Sequence, residues 1–76
     1  IFIDGIGSHT IVDFEAGRAS EDIILRRVTE ITSYDDLVTN HMTQDGADVV
    51  IDDGAGLTIR LRNVSLSALN AEDFIF

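Results

Sequence analysis

Six glycines and no proline set the rhythm of this chain, and they limit what it can fold into more tightly than any other feature. Gly5, Gly7, Gly17, Gly46, Gly54 and Gly56 divide the 76 residues into short apolar runs of strand length, the punctuation of an all-β protein. The clearest run is Leu57-Thr58-Ile59-Arg60-Leu61-Arg62. Leu57, Ile59 and Leu61 share one face and Thr58, Arg60 and Arg62 the other, as in a half-buried strand. Ahead of it, Asp48-Val49-Val50-Ile51-Asp52 is rich in β-branched residues, and Asp53-Gly54-Ala55-Gly56 is a turn that joins antiparallel neighbours. Asp36 to Thr43 reads as a third strand, linked to the second through Gln44-Asp45-Gly46, whose Asp-Gly pair is a hairpin signal. The expectation is a three-stranded antiparallel meander.

The first half is less regular. His9-Thr10-Ile11-Val12-Asp13-Phe14 reads as a strand. Glu21 to Ile31 fits a helix by the spacing of Ile23, Ile24, Arg27, Val28 and Ile31, but Ile23-Ile24-Leu25 lies between glycine-bounded strands, which favours strand over Asp22 to Val28. Ser33-Tyr34-Asp35-Asp36 and Asn70-Ala71-Glu72-Asp73 each open on a capping residue with a carboxylate three positions later, the signature of a single helical turn at a corner.

Composition excludes several functions. A chain of 76 residues is one domain at most and buries only about 60% of the surface it exposes when unfolded, so its core is thin. With no cysteine, disulfides, thiolate zinc sites and cysteine nucleophiles are ruled out. Fourteen acidic against five basic residues give a net charge of −9, which repels nucleic acid and attracts divalent cations or basic surfaces. No apolar run approaches the roughly eighteen residues of a membrane span, and Ile1-Phe2-Ile3 lacks the basic region of a signal peptide, so no bilayer insertion is expected. A start without methionine suggests either the end of a longer polypeptide or a trimmed chain.

The most informative stretch is Asp4-Gly5-Ile6-Gly7-Ser8-His9-Thr10-Ile11-Val12, where two glycines one residue apart let the backbone turn tightly before a strand. It resembles one copy of the glycine- and aspartate-rich nonapeptide of RTX, or hemolysin-type calcium-binding, proteins, with Gly5, Gly7 and Ile11 at pattern positions. Asp4 stands where the first glycine would be, and His9 where the calcium-ligating aspartate would be. An imidazole is a poor ligand for a hard cation. The likeness continues through Thr10-Ile11-Val12-Asp13-Phe14-Glu15-Ala16-Gly17, similar to the segment by which family members leave the roll, and through Asp22-Ile23-Ile24-Leu25. It extends over Tyr34-Asp35-Asp36-Leu37, Gln44 to Ile51 and Gly54 to Leu61, so it covers nearly the whole chain. The ending Asp73-Phe74-Ile75-Phe76, an acidic residue followed by apolar ones, resembles the signal read by type I secretion systems.

The resemblance implies an all-β fold in which the end of a parallel β-roll, a β-solenoid, is followed by an antiparallel meander or sandwich-like cap. Residues 1–17 would be the last roll turn, 18–64 the cap and 65–76 the export segment. It further implies calcium, with Asp4, Gly5, Gly7, Asp13 and Asp22 as candidate ligands, the ion being held either here or mainly by upstream repeats. The partners implied are the type I secretion machinery and an upstream domain of the same polypeptide, and the location is outside a Gram-negative bacterium. The segment itself is expected to be noncatalytic. The alternatives are a small β module that docks an acidic polysaccharide or partner domain on its arginine face, or the tail of a secreted metalloprotease or polysaccharide-modifying enzyme whose active site lies upstream.

Each residue also has a plainer reading. Asp4, Asp13 and Asp22 could solvate turns and strand ends, and an Asp-Gly hairpin at Asp52, Asp53 and Gly54 needs no metal. Asp35 and Asp36, adjacent on a strand, would point to opposite faces and could not share acid–base work. His9 and His41 would need carboxylate partners to hold zinc. Asp4, Ser8 and His9 contain the residue types of a hydrolytic triad without its motif. Arg26 with Arg27, and Arg60 with Arg62, could simply pair with nearby carboxylates. Asn63-Val64-Ser65 is a glycosylation acceptor pattern, incidental in a bacterial protein. Phe74-Ile75-Phe76 could close the fold as an edge strand.

Overall fold

The computed structural model describes residues 2–12, 14 and 22–76, and among these the fold is predominantly β, with mixed sheets, one short helix and no closed barrel. The expected meander is present. Strand β3 (Met42–Asp45) pairs antiparallel with β4 (Asp48–Asp52), which pairs antiparallel with β5 (Leu57–Leu61). Burial alternates along β5 as its period-two pattern requires, and Val49, Ile51, Leu57, Ile59 and Leu61 form one fully buried face. The β3–β4 loop is the pair Gly46-Ala47, and Gly46 adopts a φ of +62° at its first position, which a side chain would resist.

Where the meander begins differs from expectation. Tyr34–Asp36 forms the short helix α1 and Leu37–His41 continues as a π-helical turn, so the strand starts only at Met42 and runs on through Gln44 and Asp45. Local hydrogen bonds outcompete the β preference of Val38-Thr39. The Asp36 N–H donates to Ser33 Oγ at 3.1 Å, Leu37 N–H to Ser33 O at 3.0 Å, and the Asp36 carboxylate accepts from Thr32 N–H and Asn40 Nδ2. Gln44 then acts as a rivet. Its Nε2 donates to Gly46 O, Asp48 O and Val64 O, and its Oε1 accepts from Leu66 N–H, tying the hairpin loop to the segment that follows β5.

Strand β1 (Gly7–Ile11) lies on the other side of β5 and runs parallel to it, in the register Gly7↔Leu57 to Ile11↔Leu61, which completes the sheet order β1-β5-β4-β3. It begins two residues earlier than the pattern suggested and stops at Ile11. A second sheet pairs β2 (Ile23–Ile24) in parallel with β6 (Phe74–Ile75), and Phe2 bridges Ile24 on the other side, also in parallel. The links include Ile3 N–H to Ile24 O at 3.1 Å and Leu25 N–H to Ile75 O at 2.7 Å.

The strand expected over Asp22 to Val28 is therefore only two residues long. Beyond it, Val28 N–H donates to Leu25 O and Ile31 N–H to Val28 O, two successive tight turns that bury Leu25, Val28 and Ile31. The three-residue apolar spacing that also suggested a helix is met by these turns, and no helix forms in residues 22–31. The two single-turn corners form as their caps predict, at Ser33 and at Asn70. One apolar cluster takes in Ile3 and Phe14, the meander, and Leu69 and Phe74, so all three expected segments meet in a common core. Among the described residues no helix is long and apolar enough to cross a membrane.

Candidate functional site

Two loops of the same Asp-Gly-x-Gly pattern meet at one end of the parallel β1–β5 pair. Asp4-Gly5-Ile6-Gly7 leads into β1 and Asp53-Gly54-Ala55-Gly56 into β5. Both glycines of both loops are left-handed, with φ of +100° and +89° in the first and +77° and +110° in the second. The loops are joined where Gly7 N–H donates to Gly56 O at 3.1 Å. Gly5 carries a further demand: a Cβ there would lie 2.9 Å from Arg27 O, so this loop is pressed against the turn after β2.

Asp53 is the chemically distinctive residue of the pair. Its Oδ1 accepts from Ala55 N–H at 2.7 Å and Leu57 N–H at 2.9 Å, while its own N–H donates to Leu57 O. The residue is only 4% exposed, and its Oδ2 is buried without a hydrogen-bond partner among the described residues. A buried carboxylate oxygen with no donor costs several kcal/mol unless a polar or cationic group meets it. Beside it, Asp52 Oδ1 accepts from Gly54 N–H at 2.8 Å, so both aspartates brace the loop.

The residues singled out in the sequence do not all converge here. Gly5 and Gly7 belong to the site, and Asp4 lies in it but is exposed. Asp13 falls outside the described residues. Asp22 is half-buried just ahead of β2, and the Phe2↔Ile24 register places it roughly 13 Å from Asp4 along the strands, too far to share an ion. Among the described residues no three His, Asp, Glu or Cys side chains cluster as metal ligands. His9, at the position where the nonapeptide carries its aspartate, has Nε2 at 3.0 Å from Ile6 O, to which it donates, closing the first loop from within.

Sequence reasoning assigned Asp53 to an ordinary hairpin. The recurrence of Asp-Gly-x-Gly at 4–7 and 53–56 was the available signal, and only the parallel pairing of distant strands gives it meaning.

The arginine face is largely committed. Arg60 Nη1 donates to Asp48 Oδ2 and Nη2 to Asp45 Oδ2, each at 2.9 Å. The Asp48 carboxyl is held below the usual carboxylate range, first by the Asn63 N–H that donates to its Oδ1 and then by the Arg60 guanidinium. Arg27 lies over the Phe2 ring at 5.3 Å, and Arg62 is exposed.

The terminal segment is built into the fold. Asp73 is 1% exposed, and its Oδ2 accepts from Asn70 N–H at 2.9 Å while Asn70 Oδ1 accepts from Glu72 N–H. Phe74 is buried beside the rings of Tyr34 and Phe76, at centroid distances of 5.8 and 6.3 Å. Burial, and then the Asp73 charge, push the Tyr34 hydroxyl above its ordinary pKa. Comparison with known protein families, curated proteins and solved structures finds no match for this chain.

Proposed function

We propose that this chain is a noncatalytic, calcium-assisted folding module at the C-terminal end of a secreted RTX-type protein, exported through a type I system before it folds. The observation that carries the reading is the pair of Asp-Gly-x-Gly loops joined at Gly7 and Gly56, with the unmet Asp53 Oδ2 among them. In the parallel β1–β5 pair, Asp53 and loop carbonyls would supply the oxygen ligands, at the roll-like edge of the antiparallel meander. Bound calcium would neutralise the buried carboxylate and draw the two loops together.

The chain's own residues explain why folding waits for the ion. At −9 the unfolded chain repels itself, which suits passage through an export channel, and extracellular calcium of about 10⁻⁴ to 10⁻³ M is the range in which weak modular sites fill. An ion that binds only the folded form stabilises it by about 2.7 kcal/mol at a hundredfold excess over its dissociation constant. Asp73 and Phe74 are buried in the folded chain, so a transporter that reads the tail must do so before burial. The parent activity, whether metalloprotease or polysaccharide-modifying, belongs upstream in this reading.

Thermal unfolding in calcium and in chelator tests it. Calcium at a hundredfold excess should raise the midpoint by about 10 °C or more, and Asp53→Asn should fold yet lose that rise. An unchanged midpoint for the unaltered chain ends the calcium reading; a rise that survives in Asp53→Asn removes the loop pair from it. Deletion of residues 73–76 should abolish export from a cell carrying a type I system, and undiminished export would remove the tail's role.

A further inference from the structure

The π-helical turn Leu37–His41 does something an α-helical turn would not: it brings both the fourth and the fifth residue after Asp36 onto its carboxylate. Asn40 Nδ2 donates to Asp36 Oδ1 at 2.9 Å, and His41 Nε2 stands 3.5 Å from Asp36 Oδ2. The imidazole is oriented from behind. Its Nδ1 lies 2.9 Å from the carbonyl oxygen of Asp52 at the end of β4, and because a carbonyl only accepts, Nδ1 carries the proton. Nε2 is then the ring's free electron-pair donor, 3.5 Å from a carboxylate oxygen. Two electron-pair donors face each other across a gap that calls for a cation.

We propose that Asp36 and His41 form a binding site for a borderline-soft divalent transition ion such as Zn²⁺, Ni²⁺ or Co²⁺, separate from the calcium reading and independent of it. The geometry fits the ion's demands. With metal–ligand bonds of about 2.1 Å, an N···O separation of 3.5 Å corresponds to an angle of roughly 113° at the metal, close to tetrahedral. The supports are those that metal-binding histidines and carboxylates use: a backbone carbonyl on the second ring nitrogen, and an amide and an N–H on the carboxylate. The Asn40 amide and the Thr32 N–H also hold the Asp36 carboxyl below its ordinary range, so it meets the ion as a carboxylate. Side-chain exposures of 14% for His41 and 25% for Asp36 leave an open edge where water completes the coordination shell. An imidazole selects such ions over calcium, which prefers oxygen alone.

The chain supplies its own control. His9 is its only other histidine, and its Nε2 is turned to Ile6 O. Titration of the unaltered chain with paramagnetic Ni²⁺ or Co²⁺, followed by NMR, should broaden the His41 ring and the amides of Asp36 and Asn40 while His9 stays sharp. Added calcium should not reverse the effect. Calorimetry with Zn²⁺ should show binding weakened at least about tenfold in Asp36→Asn and lost in His41→Gln. Absence of broadening, broadening centred on His9, or Zn²⁺ binding that persists in His41→Gln would overturn the proposal. Should either variant fold poorly, the contrast between the two histidines of the unaltered chain decides alone.

Discussion

The loops at 4–7 and 53–56 share a pattern and two left-handed glycines, yet their aspartates face opposite environments. Asp53 is buried and accepts two N–H groups from its own loop; Asp4 is exposed. The cause is parity. Along β4 the core face carries Val49 and Ile51, and two residues further the same side receives Asp53. Before β1 the buried residue is Ile3, so Asp4, one position later, turns outward. The loop pattern sets the backbone path, whereas the residue count from the preceding extended segment sets which aspartate becomes structural.

The largest expected effect tests that contrast directly. In saturating calcium, where Oδ2 is met in the proposed reading, Asp53→Ala orphans two N–H groups and should destabilise the fold by about 3 kcal/mol, while Asp4→Ala should stay within about 0.5 kcal/mol, both measured by urea unfolding. Equal effects would break the comparison. The next largest sharpens it on the backbone. Gly5→Ala adds a Cβ 2.9 Å from Arg27 O to the left-handed strain, whereas Gly54→Ala meets open space. The first should cost about 2 kcal/mol or more and the second about 1 kcal/mol, read from the same unfolding curves.

The smallest concerns a carboxylate outside both loops. Asp48 is more acidic in the folded chain than when unfolded, so the stability it adds is present above about pH 4 and is lost as pH falls through its folded value. Asp48→Asn should flatten the acid limb of a plot of midpoint against pH, and an unaltered limb would show that the Asn63 and Arg60 contacts contribute nothing there.

How much of this could be read in the sequence follows the range of the interactions. The β4–β5 hairpin was legible because Leu57, Ile59 and Leu61 alternate strictly and a glycine-rich turn adjoins them. The corner at Asn70 was legible because caps are local. Residues 36–43 misled because Ser33 and Asp36 spend their side chains on nearby N–H groups, and propensity does not register such bonds. The strand at Ile23–Ile24 was cut short because burying Leu25, Val28 and Ile31 demands turns. The candidate site was half legible: Gly5 and Gly7 were marked, and Asp53 was passed over because its partner loop is brought to it by a parallel pairing of strands far apart in the chain. The ring of His41 gains its setting from the end of β4, again a distant neighbour.

The small sheet of Phe2, β2 and β6 has a mechanical consequence. All three segments point the same way, so tension applied between the two ends of the chain loads their hydrogen bonds in shear, together, rather than peeling them one after another. A puller that grips only the last residues meets that whole joint at once. Optical-tweezer traces with handles at both ends should therefore rupture this sheet in one abrupt step, and a gradual, low-force unzipping would contradict the parallel arrangement.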